Sequence, residues 1–322
     1  MTTANAYCRI PVKLILKLGD KFGYDAYLKL SDSKIIKISH SNEPIKDAIV
    51  RYHETKGVQD IYVTKEDYLK IIDGFKAQLT HKLFDPETTA EDKVDIIEKC
   101  YSMIKESLVS IGFNQDTIDM AKKISESSTR LVKESQNVFT LLKKFSENCE
   151  EELKKSLIIG YLCSGMIETF DWGTETIKEK CSLAALLCAV LLNSAQIKEI
   201  QILSQSLPLK PESLEKINNH PQNVVQALAN EDWISKESLV MIEQHHEEQS
   251  GKGFPMGLPH TRISQLSAIF IVAMRFSDLL FENNFNFREK DKMLGALRRK
   301  YNLGVFKKAT LSLIEIIGTN ES

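Results

Sequence analysis

Histidine side chains are concentrated in one part of this sequence. Among the seven histidines, His245 and His246 are adjacent, and His220 precedes them by about 25 residues. Imidazole nitrogens bind metal ions and transfer protons near neutral pH. Neighbouring residues on a helix are displaced by about 100°, so we expect His245 and His246 to point in different directions. Such a pair could bind two adjacent ions, or one ion and a substrate. The alternative is that both histidines are solvated side chains at a helix end.

The elements that must position these histidines are predicted to be helical. From Thr89 onward, apolar residues recur with the 3.6-residue period of an amphipathic helix. The segment 249–262 breaks this period, because it combines Gly251, Gly253 and Gly257 with two prolines. This stretch, the glycine loop, follows a predicted helix at 235–248 that would carry the histidine pair. Further helices are predicted at 174–192, 211–218, 221–230 and 263–282.

The first part of the chain shows a different period. Apolar residues alternate over 24–30 and recur at 36–38 and 61–63, which predicts strands, and a helical stretch follows at 66–75. The sequence therefore predicts a mainly α protein with a small N-terminal α+β domain. The predicted domains are residues 1–80, a helical connection at 81–113, and a helical domain at 114–322.

Composition limits the functions open to the chain. Its 322 residues carry 42 Lys and Arg against 44 Asp and Glu, so a net charge of -2 argues against binding of nucleic acid polymers. Six scattered cysteines without a C-x-x-C pair indicate reduced thiols and a cytoplasmic location. We expect no signal peptide and no membrane span, because no apolar run is long enough.

The histidine region resembles a known signature. The run HHEEQSGKGFP at 245–255 resembles the HHE-x-x-D-G-S-G-Y-P motif of HD-GYP proteins, and His220-Pro221 is similar to the His-Pro element that precedes it in that family. The similarity extends over about 115–317, and the preceding region is similar to a small domain found before HD-GYP domains in some predatory bacteria. The resemblance implies a helical HD-type bundle that ancestrally hydrolyses cyclic di-GMP with two or three metal ions.

Several positions depart from that family pattern. No histidine lies between His81 and His220, although the family has metal-binding histidines on its first helix and in an A-A-L-L-H-D-I-G-K stretch. Aligning 184–187 with A-A-L-L identifies the replacements. The positions where the resemblance expects another residue are Ser156 and Cys188 (histidines in the family), Ala189 (the bridging aspartate), Leu192 (the catalytic lysine), Ser250 (aspartate), Phe254 (tyrosine), Ala268 (arginine) and Met274 (aspartate).

These replacements predict loss of hydrolysis. Two divalent ions about 3.5 Å apart repel by roughly 19 kcal/mol at an effective dielectric of 20, and a bridging carboxylate normally offsets this repulsion. Ala189 cannot bridge, and Met274 offers a soft thioether in place of a hard anionic oxygen. We therefore expect a catalytically inactive, HD-GYP-like regulatory or interaction protein of cyclic di-GMP signalling, without a required cofactor.

Three alternatives stay open at this point. A phosphodiesterase could use an unusual ligand set that recruits Glu247 or Glu168. A receptor could bind cyclic di-GMP without cleaving it, with Lys252, Arg262 and Arg275 as its cations. One zinc or similar ion could also be held by His220, His245 and His246, and by Cys188, although Cys188 lies in an apolar run typical of core thiols.

The glycine loop is also the predicted contact surface. The resemblance implies a GGDEF-type synthase domain as the partner of residues 251–255. We expect Phe254 to be an exposed ring that a partner buries, with Lys252 beside it. A homodimer is left open by the sequence.

Overall fold

The computed structural model describes residues 6–12, 15, 23–31, 34–41, 56–110, 115–134, 151–192, 196, 199–200 and 211–318. The chain divides into two compact units, Met1–Lys123 and Ile124–Ser322. The domain boundaries predicted from the sequence, at 80 and 114, stay predictions.

The first unit contains a four-stranded antiparallel sheet with the order β1-β4-β2-β3. Its strands are β1 (Tyr7–Pro11), β2 (Ala26–Ser31), β3 (Lys34–Ser39) and β4 (Asp60–Thr64). Buried and partly exposed residues alternate along β1 and β4, where Cys8 pairs with Val63 and both are buried. One face of the sheet therefore belongs to the core. Three strands were predicted, whereas β1 was not, although the buried Cys8 and Ile10 alternate with partly exposed residues along it.

Two helices pack against this sheet, α1 (Lys65–Phe84) and α2 (Ala90–Ser110). Thr64 ends β4 and caps α1, since its hydroxyl accepts a hydrogen bond from the Asp67 amide at 3.1 Å. Arg9 on β1 donates to the Glu106 carboxylate on α2 at 3.0 Å, which ties the strand to the helix. Helix α3 (Gln115–Glu134) follows.

The second unit is a bundle of helices. These are α4 (Glu151–Glu168), α5 (Glu175–Leu187), α6 (Pro211–Leu228), α7 (Lys236–Gln244), α8 (Gln265–Glu282), α9 (Lys290–Lys300) and α10 (Gly304–Gly318), with short 3-10 turns at His260–Arg262 and Phe287–Glu289. Helix α8 lies at the centre, in contact with α4, α7, α9 and α10. The predicted fold class, mainly α with a small N-terminal sheet, is confirmed.

Two of the helix boundaries that differ from the sequence prediction bear on the histidines. Helix α6 runs through Pro221 without a break, although two separate helices were predicted. Helix α7 ends at Gln244, before both histidines, rather than at 248. Within the described ranges, none of the helices combines the length and the apolar character that crossing a bilayer requires.

Candidate functional site

Three histidines from different segments converge in the second unit. His220 lies on α6, His245 caps the C-terminus of α7, and His246 begins the following turn. One ring nitrogen from each side chain lies within 4.8 Å of the others, and the Nε2 atoms of His220 and His245 are 3.1 Å apart. His220 and His245 are buried, and His246 is half-buried.

The expectation that His245 and His246 point in different directions is wrong. Their ring centroids lie 4.1 Å apart, and both rings face His220 at about 5 Å. The 100° displacement applies only inside a helix, and α7 ends at Gln244. Because His246 stands in a turn, its side chain is free to join the same cluster.

Two backbone carbonyls fix the orientation of two of the rings. His220 Nδ1 lies 2.6 Å from the Ile217 oxygen, and His245 Nδ1 lies 2.5 Å from the Ile242 oxygen. A carbonyl oxygen only accepts, so each Nδ1 carries the hydrogen and each Nε2 carries a lone pair. In metal-binding histidines, the ring nitrogen that does not bind the metal typically donates such a hydrogen bond.

Pro221 explains why one of these carbonyls is available. In a regular helix the amide of residue 221 would donate to the Ile217 oxygen, four residues earlier. Proline has no amide hydrogen, so this oxygen accepts from the His220 ring instead. The proline that follows His220 therefore helps to orient its ring.

The histidines are uncharged near neutral pH. Burial lowers the pKa of His220 to about 4 and holds the pKa values of His245 and His246 well below their ordinary range. The Lys155 ammonium lowers the pKa of all three further. Neutral imidazole is the form that binds metal ions.

The donor set fits one metal ion. Two unprotonated nitrogens that face each other at 3.1 Å repel unless they share a cation, and two nitrogen ligands of a tetrahedral zinc ion lie about 3.3 Å apart. His246 supplies the third nitrogen. Three neutral nitrogen ligands suit zinc or a similar borderline ion better than magnesium or calcium, which prefer oxygen.

A cavity of about 40 Å³ adjoins the histidines. It brings together most of the positions that the resemblance identified as replaced: Ser156, Cys188, Ala189, Leu192 and Met274. Ala189 and Leu192 lie in turns after α5, because that helix ends at Leu187 rather than at 192. None of these five side chains is a carboxylate.

Cys188 lines the cavity but behaves as a core thiol. Its sulfur donates to the Ala185 carbonyl at 3.5 Å, and burial raises the pKa of the thiol to about 12. A thiol must be deprotonated to bind zinc. Among the described residues, the three-histidine cluster does not include Cys188, and Cys188 as a fourth ligand stays a prediction without geometric support.

Glu247 holds the glycine loop in shape. Glu247 is 1% exposed, and its carboxylate accepts hydrogen bonds from the amides of Met256 and Leu258, both at 2.8 Å. The alternative that recruits Glu247 as a metal ligand is disfavoured, because both of its oxygens are engaged in these bonds. Glu168, the other recruited carboxylate, pairs with Lys178 and lines neither cavity of the site.

The glycine loop passes directly beneath the histidines. The Phe254 amide donates to the His246 carbonyl at 3.1 Å, and the Phe254 ring stacks on the His246 ring with centroids 4.4 Å apart. Phe254 is therefore half-buried, and the expectation of a fully exposed ring is wrong. In the same loop, Lys252 and Met256 are exposed.

A larger cleft of about 620 Å³ opens beside the small cavity. Four cationic side chains line it: Lys155, Lys252, Arg275 and Lys300. Lys252 and Arg275 were expected there, whereas Lys155 and Lys300 were missed because they come from helices distant in sequence. Of the other predicted positions, Arg262, Ser250 and Ala268 line neither cavity among the described residues.

Comparison with known proteins agrees with this architecture. A family model described as an HD domain matches residues 120–296. Among solved structures, Bd1817, a HDG"Y"P protein from Bdellovibrio bacteriovorus, is 16% identical with a TM-score of 0.55; the match covers 97% of this chain and 99% of that chain. This similarity shows a shared fold. No curated protein matches the chain.

Proposed function

Because the chain belongs to the HD domain family, we propose that it is a catalytically inactive, HD-GYP-like regulatory protein of cyclic di-GMP signalling. The observation that carries this proposal is the lining of the small cavity. Beside three histidines it has Ala189, Leu192 and Met274, and no carboxylate among its described lining residues.

The charge of the lining argues against a two-metal centre. Two divalent ions at the usual separation repel by roughly 19 kcal/mol at an effective dielectric of 20, and three neutral imidazoles supply no negative charge to offset this. His220, His245 and His246 would hold a single ion, which would supply a localised positive charge for an anionic ligand. The Nδ1 hydrogen bonds of His220 and His245 would keep those two rings oriented with or without it.

Metal content and turnover test this proposal together. We expect purified protein, reconstituted with zinc, manganese or iron, to contain at most one ion per chain and to leave cyclic di-GMP uncleaved. Elemental analysis gives the stoichiometry, and chromatography of the nucleotide gives turnover. His245→Ala is the matched control, because it should abolish any zinc retained by the unaltered chain. Two ions per chain with measurable hydrolysis would overturn the proposal.

A non-hydrolysing receptor is the second function that an observation favours. The cleft of about 620 Å³ is large enough for a dinucleotide, and its cations include Lys155, Arg275 and Lys300. Lys300 is paired with Glu248 at 2.7 Å and Arg275 with Glu282 at 3.0 Å, so these charges are partly compensated. Saturable binding of cyclic di-GMP without turnover would favour the receptor.

The exposed part of the glycine loop is our proposed partner surface, and a GGDEF-type domain its partner. Phe254 is unsuitable for testing the surface alone, because its ring stacks on His246. Met256 is 41% exposed and Lys252 is also exposed. An exposed methionine in the same loop as an exposed lysine provides an apolar contact and a charge for the rim.

We expect the double variant Lys252→Glu, Met256→Glu to weaken binding of a purified GGDEF-type domain at least tenfold, as measured by calorimetry. The melting temperature should stay within about 1 °C, since surface changes are usually worth less than 0.5 kcal/mol. Leu311→Glu, at a 47% exposed position on α10, is the control. Equal binding by both variants and the parent chain would contradict the assignment of this surface.

A further inference from the structure

A lysine that the resemblance does not predict stands beside the histidine cluster. Lys155 lies on α4, next to Ser156, and lines both the small cavity and the larger cleft. Its side chain is only 18% exposed. The small cavity and the ammonium group are therefore part of one site with His220, His245 and His246.

An aspartate one helical turn beyond Met274 holds this ammonium. Asp278 follows Met274 by four residues on α8, so the two side chains share a helix face. The Asp278 carboxylate lies 2.5 Å from Lys155 Nζ and is 16% exposed. Its other oxygen lies 3.5 Å from Arg275, which is itself neutralised by Glu282. The Asp278 carboxylate, on the same face of α8 as Met274, therefore binds the Lys155 ammonium.

From this arrangement we infer that Lys155 is a built-in cation that takes the place of a second metal ion and, in a cavity whose described lining has no carboxylate, limits the histidine cluster to one ion at most. The inference deepens the proposed function and rests on the three histidines being able to bind an ion. Coulomb repulsion between the ammonium and an incoming divalent ion is strong where water is largely excluded. The ammonium also occupies the Asp278 carboxylate, which would otherwise be available as a hard oxygen ligand.

Replacing the lysine tests this directly. We expect Lys155→Met to bind zinc at least tenfold more tightly than the parent chain in a competition titration with a chromogenic chelator. The change removes the repelling charge, keeps an unbranched side chain, and frees Asp278. Lys155→Gln also removes the charge and can still donate to Asp278, so it should show a smaller gain and serves if the methionine variant does not fold.

Two further variants separate charge from other effects. Lys155→Arg retains the positive charge and should show no gain in zinc affinity. Lys154→Met removes a lysine at the adjacent position, which lines neither cavity, and should also leave affinity unchanged. The rise in melting temperature on adding zinc provides a readout independent of the chelator.

The outcomes distinguish this inference from the proposed function. Unchanged zinc affinity in folded Lys155→Met or Lys155→Gln protein overturns the role of Lys155, whatever the activity of the parent chain. An equal gain in Lys154→Met overturns it too, because the effect would then be one of general surface charge. Hydrolysis of cyclic di-GMP by the parent chain with a single bound ion would instead overturn the proposed function and leave the role of Lys155 intact.

Discussion

Gly253→Ala is expected to unfold the glycine loop and to destabilise the second unit by about 3 kcal/mol, within the range that steric and hydrogen-bond losses produce. A Cβ atom at this position would lie 2.4 Å from the Glu247 Cα and the Glu248 nitrogen, and 2.5 Å from the His246 oxygen. All three are backbone atoms, so no side-chain rotation relieves the clash.

The loop must therefore move away from the turn that carries His246. The hydrogen bond from the Phe254 amide to the His246 carbonyl would break, and the stacking of the two rings would be lost. For a unit of this size the melting temperature should fall by about 6 to 12 °C. The amides of Met256 and Leu258 should also lose protection from hydrogen exchange.

Gly295→Ala is the matched control for this change. Gly295 lies in α9, and a Cβ there would meet only the end of the Arg299 side chain, at 3.6 Å. Alanine in a helix interior is favoured over glycine by about 0.5 to 1 kcal/mol, so this variant should be slightly stabilised. A Gly253→Ala protein that melts like the parent chain would show that the loop does not pack against the histidine turn as described.

Restoring the missing ligands should recover a two-metal centre. The change combines Ser156→His, Cys188→His, Ala189→Asp and Met274→Asp, four positions that line the same small cavity. It adds two carboxylates, which offset the repulsion between ions, and two imidazoles. We expect the metal content to rise from at most one to two ions per chain after reconstitution with manganese or iron, as measured by elemental analysis.

Because the four sites share one pocket, single changes should have little effect and the combination should be strongly non-additive. The matched control carries Ala189→Asn and Met274→Asn in place of the two aspartate substitutions. Asparagine keeps the shape of the side chain and removes its negative charge. This control should bind no second ion. A folded quadruple variant without added metal would mean that the alignment of 184–187 with the family motif is out of register.

The sequence locates the site well because its key features are local. The His-Pro pair and the run at 245–255 identify three histidines that the structure brings within 4.8 Å. The Nδ1 hydrogen bond of His220 is likewise a consequence of the residue that follows it. Periodicity was sufficient to predict the helical second unit and most of the N-terminal strands.

Features that depend on contacts distant in sequence could not be predicted. Lys155 and Asp278 are 123 residues apart, and each is unremarkable within its own helix. The direction of His246 depends on where α7 ends, which is set partly by the bonds from Met256 and Leu258 to Glu247. The half-buried position of Phe254 has the same origin, because the ring follows the loop onto His246.

The Glu247 carboxylate holds the glycine loop in shape through protein groups alone. In many metalloproteins the ion itself holds the chain in place, so each lost ligand also costs folding energy. Here hydrogen bonds from two backbone amides to one buried carboxylate hold the loop. Ligands can therefore be exchanged for alanine, methionine or cysteine with little penalty to the architecture. A lineage that no longer needs catalysis can lose it by gradual substitution while keeping an intact surface for recognition.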